Sequence, residues 1–170
     1  MLNPIVVVNS PPVILLQKIG HLDLLQKLYC RIFIAQAVYK EILADEDINT
    51  SERELLLSNN WIEVVEIENI DAKKMFVTSL HVGEVETIIL AIEKSADLCV
   101  FDDLLARKHA KRFDLNVTGT LGVLVAAKKK GFIRSVAPLL ERLVSVGMYV
   151  SKELCNTTLL LAEEQLLDEQ

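Results

Sequence analysis

The sequence predicts an α/β fold, a three-layer α/β/α sandwich with a central parallel sheet. Short aliphatic runs, such as residues 5–8 and 98–101, alternate with segments whose apolar residues recur at helical spacing. Such runs are typical of strands buried on both faces of a parallel sheet, and their alternation with helices indicates βαβ units. The length of 170 residues predicts one domain. It comprises an α/β unit over residues 1–135 and a C-terminal helical extension, residues 136–170, packed on it.

The first half of the chain contains three predicted strands. Residues 5–8 form the first, and Pro11 and Pro12 then open a helix that continues to Gly20. Apolar spacing predicts the helices at 22–28 and 36–43, and aliphatic runs predict the strands at 32–34 and 61–65, the latter at the sheet edge. Ser51 is a predicted N-cap for a helix through Leu57, because Glu54 completes a capping box.

The second half is mostly helical. Residues 84–93 carry an apolar stripe at the spacing i, i+3, i+4, i+7, formed by Val85, Ile88, Ile89 and Ile92. Strands are predicted at 98–101 and 116–118. Helices are predicted at 71–80, 104–113, 119–130, 136–144 and from Ser151 to Leu167.

Composition limits the class of protein. With 51% hydrophobic residues, 6 Gly and 4 Pro, the chain buries a sizeable core. The net charge is -6, so the chain is not strongly basic as duplex DNA-binding proteins are. A local basic patch that binds nucleic acid is compatible with this net charge. Neither a signal peptide nor an apolar run of about 18 residues is found, so a soluble cytoplasmic protein is expected. Cys30, Cys99 and Cys155 lack metal-type spacing and are predicted to be reduced core thiols.

Two predicted strands end in polar groups. Asn9 and Ser10 follow the first strand, and Asp102 and Asp103 follow residues 98–101. The carboxyl ends of parallel strands meet at one edge of the sheet and carry the chemistry there. Two helical carboxylates, Glu41 and Glu84, are candidates to join them. A carboxylate cluster without a cationic partner is unfavourable unless a metal or a proton neutralises it, which indicates a hard divalent cation.

Each residue also has a simpler interpretation. Asn9 suits an Asx-turn, Asp102 a helix N-cap and Glu41 a solvated helix face. Glu84 and Glu86 lie in a first helical turn, where the helix dipole favours carboxylates. They are about 200° apart around the helix, so both cannot face one metal.

The order of these motifs resembles the PIN-domain family. The matching segments are Asn9-Ser10-Pro11-Pro12, the helix with Glu41, Gly83-Glu84-Val85-Glu86, Asp102-Asp103-Leu104-Leu105-Ala106-Arg107, Val117-Thr118-Gly119-Thr120-Leu121-Gly122-Val123-Leu124 and residues 127–131. The resemblance spans residues 5–161 and is closest to a prokaryotic subgroup with an Asn-Thr-Ser-Pro-like start. Such proteins are small ribonucleases, often the toxin of a toxin–antitoxin pair.

The resemblance implies a site. Its acidic positions fall on Asn9, Glu41, Glu84 and Asp102, the implied catalytic set. Mg²⁺ or Mn²⁺ is the implied cofactor, with Glu41, Glu84, Asp102 and Asp103 as metal ligands and Ser10 and Glu86 as secondary candidates. Arg107, Lys108, Lys111 and Arg112 on the 104–113 helix either contact an RNA backbone or form a solvated face. RNA, an antitoxin and a second copy in a homodimer are the expected partners.

The leading hypothesis is a metal-dependent endoribonuclease. The usual first residue of the family is Asp, whereas this chain has Asn9, which brings no negative charge and is a poorer base. The alternative is therefore a catalytically weakened PIN-like protein that binds RNA or a protein partner. A phosphate-receiving signalling domain is disfavoured, because the first strand ends in an amide and no lysine ends a late strand.

Overall fold

The computed structural model describes residues 2–76 and 80–167, apart from the side chain of Leu55. One five-stranded sheet has the order β3-β2-β1-β4-β5, and every neighbouring pair is parallel. The strands are β1 (Val6–Val8), β2 (Ile32–Ala35), β3 (Ile62–Val65), β4 (Leu98–Val100) and β5 (Val117–Thr118). The predicted α/β class is therefore correct, and β3 lies at the sheet edge as predicted.

Helices connect the strands and cover the sheet. They are α1 (Ser10–Lys18), α2 (Asp23–Tyr29), α3 (Gln36–Ala44), α4 (Thr50–Leu57), α5 (Val82–Glu93), α6 (Leu104–Arg112), α7 (Thr120–Lys129), α8 (Ala137–Ser145) and α9 (Lys152–Leu161). A 3₁₀ helix spans Ile70–Met75. In the described parts of the chain, no helix is long and apolar enough to cross a membrane.

The core is centred on β1 and α5. All three valines of β1 are fully buried, as expected for a central parallel strand covered on both faces. Helix α5 packs against α3, β1, β2 and β4. Its residues from Gly83 to Ala91 are all buried, including two glutamates. Ile92, the last member of the predicted stripe, is instead 44% exposed, because α5 leaves the core near its end.

Strand register brings the polar strand ends together. Val8 pairs with Val100, and Val100 pairs with Thr118. Beyond the strands, the Asn9 N–H donates to the Val100 carbonyl at 3.1 Å, and the Phe101 N–H donates to the Thr118 carbonyl at 2.9 Å. Asn9, Asp102 and Thr120 consequently leave the sheet at the same edge.

The predicted start of the fourth helix is wrong. The capping box of α4 is formed by Asn49 and Glu52, not by Ser51 and Glu54. Asn49 Oδ1 accepts from the Glu52 N–H at 2.9 Å, and Glu52 Oε2 accepts from the Asn49 N–H at 3.1 Å. Asparagine caps helices as well as serine does, and the N-cap lies two residues earlier than the predicted Ser51.

Other differences concern short segments. The helix predicted at 71–80 is the 3₁₀ helix Ile70–Met75, and residues 77–79 of that prediction lie outside the described residues. Cys30 is exposed rather than a core thiol, whereas Cys99 and Cys155 are buried as predicted. Cys30 follows the last residue of α2 and has a φ of 67°, because the chain turns out of the helix there.

Helix α9 ends at Leu161 rather than at Leu167, because the chain reverses there. Glu163 has a φ of 58°, and the N–H of Glu164 donates to the Leu159 carbonyl at 2.9 Å. This turn directs the Glu164 carboxylate to the start of α8, where it accepts hydrogen bonds from Ser135 Oγ at 2.6 Å and from the Val136 N–H at 2.7 Å. Lys128 of α7 forms an ion pair with the same carboxylate at 3.1 Å.

The Glu164 carboxylate therefore connects the end of α9 and the start of α8 to α7 through these contacts. Burial alone raises its pKa, but the hydrogen bonds from Ser135, Val136, Ala137 and Lys128 outweigh burial and lower the pKa from 4.5 to about 2. A pKa lowered in the folded state contributes stability above the unfolded pKa, and this contribution is lost as the pH falls toward the folded pKa.

We expect Glu164→Gln to lower the free energy of unfolding at neutral pH by about 2 kcal/mol, because charge-assisted hydrogen bonds are lost. The difference from wild type should shrink as the pH falls from about 4.5 toward about 2. Urea unfolding across this pH range measures it, with the exposed neighbour variant Glu163→Gln as the control. An equal loss of stability at all pH values would contradict the role of the charge.

Candidate active site

Asn9 is buried at the end of β1 with an unpaired acceptor. Its side chain is only 2% exposed, and its Oδ1 atom has no hydrogen-bond partner among the described residues. Asn9 occupies the N-cap position of α1, yet its side chain makes no capping hydrogen bond there. The Asx-turn interpretation is therefore not supported. A buried acceptor without a partner costs free energy, which a bound cation or water would offset.

Glu41 contacts Ser10, the residue that follows Asn9 in the chain. Ser10 Oγ donates a hydrogen bond to Glu41 Oε2, and the Gly83 N–H donates to Glu41 Oε1 at 3.0 Å. A Cβ atom at position 83 would overlap the Glu41 carboxylate, so only glycine allows this approach. The carboxylate of α3 thus meets the positive N-terminal end of α5.

Glu84 is buried close to two other carboxylates. Its side chain is 7% exposed, and its Oε2 accepts a hydrogen bond from the His81 N–H at 3.0 Å. Burial raises its pKa, and the charges of Asp103 and Glu41 raise it further, against the hydrogen bond from His81. Glu84 therefore caps its own helix, as the simpler interpretation has it, and also lies within an acidic cluster.

Glu86 has a different environment, although it too is buried. Its Oε2 accepts from the Ala37 N–H at 2.8 Å, and its Oε1 forms an ion pair with Lys73 at 2.8 Å. These contacts join α5 to the start of α3 and to the 3₁₀ helix. Both oxygens of Glu86 are thus used in packing, which favours Glu84 over Glu86 as a site residue.

Asp102 is held by the start of α7. Its Oδ1 accepts from the Thr120 N–H and its Oδ2 from Thr120 Oγ1, both at 2.7 Å. A Cβ atom at Gly119 would lie 2.8 Å from Asp102 Oδ1, so this approach also needs glycine. Burial raises the pKa of Asp102, while the hydrogen bonds from Thr120 and the charge of Arg107 oppose the rise.

Asp103 is the N-cap of α6. Its Oδ1 accepts from the Ala106 N–H at 2.8 Å. The helix N-cap predicted as the simpler interpretation of Asp102 is therefore Asp103. Its charge nevertheless acts on Glu84, so Asp103 borders the acidic cluster.

The four candidate RNA-contacting cations divide into two groups. Lys108, Lys111 and Arg112 are exposed on α6. Arg107 is half-buried and close enough to Asp102 to influence its pKa. No described residue forms an ion pair or a hydrogen bond with the Arg107 guanidinium.

The chemistry of these donors suits a hard divalent cation. Within residues 2–76 and 80–167, no three His, Cys, Asp or Glu side chains are grouped so that they could hold a metal. The donors are all oxygens, Asn9 Oδ1 is unpaired, and each carboxylate oxygen of Glu41 and Asp102 accepts a single hydrogen bond. Such an oxygen has a second lone pair to offer, and Mg²⁺ retains several waters, so few protein ligands are required.

A comparison of the sequence with protein families identifies the class of this α/β domain. The family model DUF3368, described as a PIN domain, matches residues 5–164. The chain therefore belongs to the PIN-domain family, as its motifs suggested. PIN domains are generally nucleases that use divalent metal ions. A search of curated proteins finds no match.

Sequence reasoning assigned no role to three residues that shape the site. Thr120 holds both oxygens of Asp102, and Gly83 and Gly119 leave space for Glu41 and Asp102. All three lie in segments that resembled the family. A glycine directly before a candidate acid, as in Gly83-Glu84, is a signal that could have indicated a close approach of this kind.

Removing the charge of Glu84 and removing that of Glu86 should change the free energy of unfolding in opposite directions. The raised pKa of Glu84 means that its ionised form is disfavoured by folding, so its contribution to stability falls as the pH rises through the folded pKa. We expect Glu84→Gln to increase the free energy of unfolding of the metal-free protein at neutral pH by about 0.5–2 kcal/mol. Glu86→Gln should decrease it by about 1 kcal/mol through loss of the Lys73 ion pair.

Urea unfolding in EDTA measures both variants. The gain in Glu84→Gln should disappear at acidic pH, where the wild-type carboxyl is already neutral. A loss of stability in Glu84→Gln equal to that in Glu86→Gln would show that Glu84 is a structural residue only.

Proposed function

We propose that the protein is a Mg²⁺- or Mn²⁺-dependent endoribonuclease. The observation that carries this proposal is the unpaired, buried Oδ1 of Asn9 at the sheet edge that Asp102 shares. Glu41 contacts the next residue, Ser10, and Glu84 lies near Glu41 and Asp103. An acceptor buried in this way needs a cation or a donor, and the neighbouring carboxylates make a cation the favoured ligand.

Asn9, Glu41, Glu84 and Asp102 would hold the metal, with Asp103 as a further ligand. When bound, the metal supplies a more acidic water and offsets negative charge on the phosphate. Ser10 and Gly83 orient Glu41, and Thr120 orients Asp102, through the hydrogen bonds described above. Supporting contacts of this kind fix ligands in place before a metal binds.

Burial prepares the two acids for such a ligand. The pKa values of Glu84 and Asp102 are both raised, mainly by desolvation. A divalent cation relieves the cost of the buried charge, so metal affinity should fall when acid protonates these groups. Helix α6 begins directly after Asp103, and its exposed cations support binding of an RNA backbone near the acidic edge. These cations are Lys108, Lys111 and Arg112.

We expect the wild-type protein to cleave a mixed RNA pool in Mn²⁺ or Mg²⁺ and to lose this activity in EDTA. Glu84→Gln and Asp102→Asn should each lower the rate about a hundredfold or more, because charge stabilisation at the reacting phosphate is lost. Gel analysis of RNA fragments measures this rate.

The matched control is Glu153→Gln, which removes an exposed carboxylate from α9. It should cleave RNA at the wild-type rate. Circular dichroism of every variant separates a loss of fold from a loss of chemistry. Equal activity of the wild type, Glu84→Gln and Asp102→Asn would contradict the assignment of the site.

A second candidate function rests on Asn9 as well. An amide contributes one charge less than the usual aspartate, and no described group of three acids is arranged around a common ion. A catalytically weakened PIN-like protein that binds RNA or a protein partner would have these properties. Metal affinity distinguishes it from the leading proposal.

Asn9→Asp provides a sharp test by calorimetry. If Asn9 is a metal ligand, the added charge should tighten Mn²⁺ binding about tenfold, since ligand charge is a major determinant of affinity in oxygen sites. Ser145→Asp, which adds a charge at the end of α8, is the control and should leave the affinity unchanged. No Mn²⁺ binding at millimolar concentration by wild type would favour the weakened protein.

The expected protein partners remain proposals. The resemblance to toxin ribonucleases is the basis for proposing an antitoxin, and the apolar helices after Gly119 are the basis for proposing a homodimer. Light scattering of the purified chain tests the dimer, and a monomer would remove that proposal. The neighbouring open reading frame tests the antitoxin.

A further inference from the structure

Strand β3 lies at one edge of the sheet, and its outer side is unpaired. Among the described strands, only β2 pairs with β3. The strand also packs against α3, and its side chains are half-buried or exposed, with Val64 37% exposed. An open edge of this kind can pair with a strand from another chain.

The backbone of β3 has hydrogen-bonding groups that face away from the sheet. The Ile32 N–H of β2 donates to the Trp61 carbonyl at 2.9 Å, so Trp61 and, two residues later, Glu63 direct their backbone groups toward β2. Residues between them direct theirs to the other side, as in any parallel strand. The N–H and carbonyl of Val64 therefore face outward, and no described residue forms a hydrogen bond with them.

The chain around this edge is strongly acidic. Residues 45–71, which contain α4 and β3, hold nine acidic residues and one base, Arg53, whereas the net charge of the whole chain is -6. Glu63 lies on β3 and Glu66 directly follows it, and both are exposed. The Glu63 carboxylate forms an ion pair with Arg31 at 3.4 Å, and in the described part of the chain no cation pairs with Glu66. The edge therefore attracts positive charge.

We propose that the outer edge of β3 binds an extended, basic segment of a partner protein, which adds a strand to the sheet. Backbone hydrogen bonds to Val64 contribute affinity, and charge pairs contribute selectivity. Neighbouring residues on paired strands point to the same face, so lysine or arginine fits beside Glu63 and an aliphatic residue fits beside Val64. The partner segment therefore alternates basic and aliphatic residues.

This edge is separate from the candidate active site. Strand β2 lies between β3 and β1, so β3 is not adjacent to the strands that end at Asn9 and Asp102. Binding of a partner at β3 therefore goes beyond the proposed ribonuclease activity and does not depend on it.

A second copy of this chain is a less suitable occupant than a basic segment. Pairing β3 with β3 of another copy would bring two acidic segments together, and like charges on neighbouring strands are destabilising. Charged side chains on an edge strand oppose such self-pairing. A basic segment instead offsets the charge of Glu63 and Glu66, so self-association is an outcome that would contradict the proposal.

The test is binding of a short fluorescent peptide of alternating lysine and valine to the full chain, measured by anisotropy. The same peptide with N-methylated backbone amides should bind about tenfold more weakly, because it keeps its charges but loses backbone hydrogen bonds. A peptide of alternating glutamate and valine should not bind, because its charge has the same sign as that of the edge.

Two variants of the protein test the same edge. Val64→Pro removes the outward N–H without removing a hydrogen bond to β2, and proline is tolerated on the outer side of edge strands. It should weaken peptide binding about tenfold, and Glu66→Lys should do the same through charge reversal. Glu141→Lys, which makes the same charge change on the exposed face of α8, is the control and should stay within about twofold of wild type.

Each outcome supports or overturns the proposal. If circular dichroism shows that Val64→Pro unfolds, the N-methylated peptide and Glu66→Lys still decide it. No binding of the lysine–valine peptide at millimolar concentration overturns it, and so does equal binding of the N-methylated peptide, which would indicate a charged surface without strand pairing. Equal affinities of Glu66→Lys and Glu141→Lys overturn it as well. A wild-type dimer that dissociates in Val64→Pro, measured by light scattering, would identify a second copy as the occupant instead.

Discussion

Desolvation of carboxylates at one edge of the sheet is the constraint on which the rest of the structure depends. Glu84 and Asp102 are shielded from water, and their raised pKa values express the cost of keeping them charged there. Backbone N–H groups at helix starts reduce that cost, since Gly83 donates to Glu41 and Thr120 donates to Asp102. The edge is thus built from acids and from the positive ends of helices α5 and α7.

Parallel strand order makes this arrangement possible. Because β1 lies between β2 and β4, the residues that follow β1 and β4 leave the sheet side by side. Gly83 and Gly119 then leave space for the carboxylates of Glu41 and Asp102 to approach the starts of α5 and α7. Strand ends and helix starts therefore position these acids.

Much of the fold was predictable, because its signals are local. Aliphatic runs marked β1 to β4, and an apolar stripe marked α5. The boundaries that failed depended on distant contacts. Nothing near Leu161 in the sequence shows that Glu164 turns back to reach Ser135, and the capping box at Asn49 competed with an equally good pattern at Ser51.

The sequence allowed the candidate site residues to be named, but not the contacts that each of them makes. Motif order indicated Asn9, Glu41, Glu84 and Asp102, and the structure places Asn9 and Asp102 at one sheet edge. The choice between Glu84 and Glu86 was not predictable from apolar spacing, because α5 is buried on nearly all sides and both glutamates lie inside. Partners from other elements, such as Lys73 and Ala37 for Glu86, distinguish the two.

The attachment of the C-terminal segment at Glu164 has a consequence for how such a domain diversifies. Leu154 and Leu161 of α9 form part of the wall of a groove that Asp102 also lines, and Lys128 and Glu164 hold that wall against α7. None of the four belongs to the acidic edge. Substitutions in this helix can therefore reshape the groove while the acids stay in place, so the two parts of the chain are free to change independently.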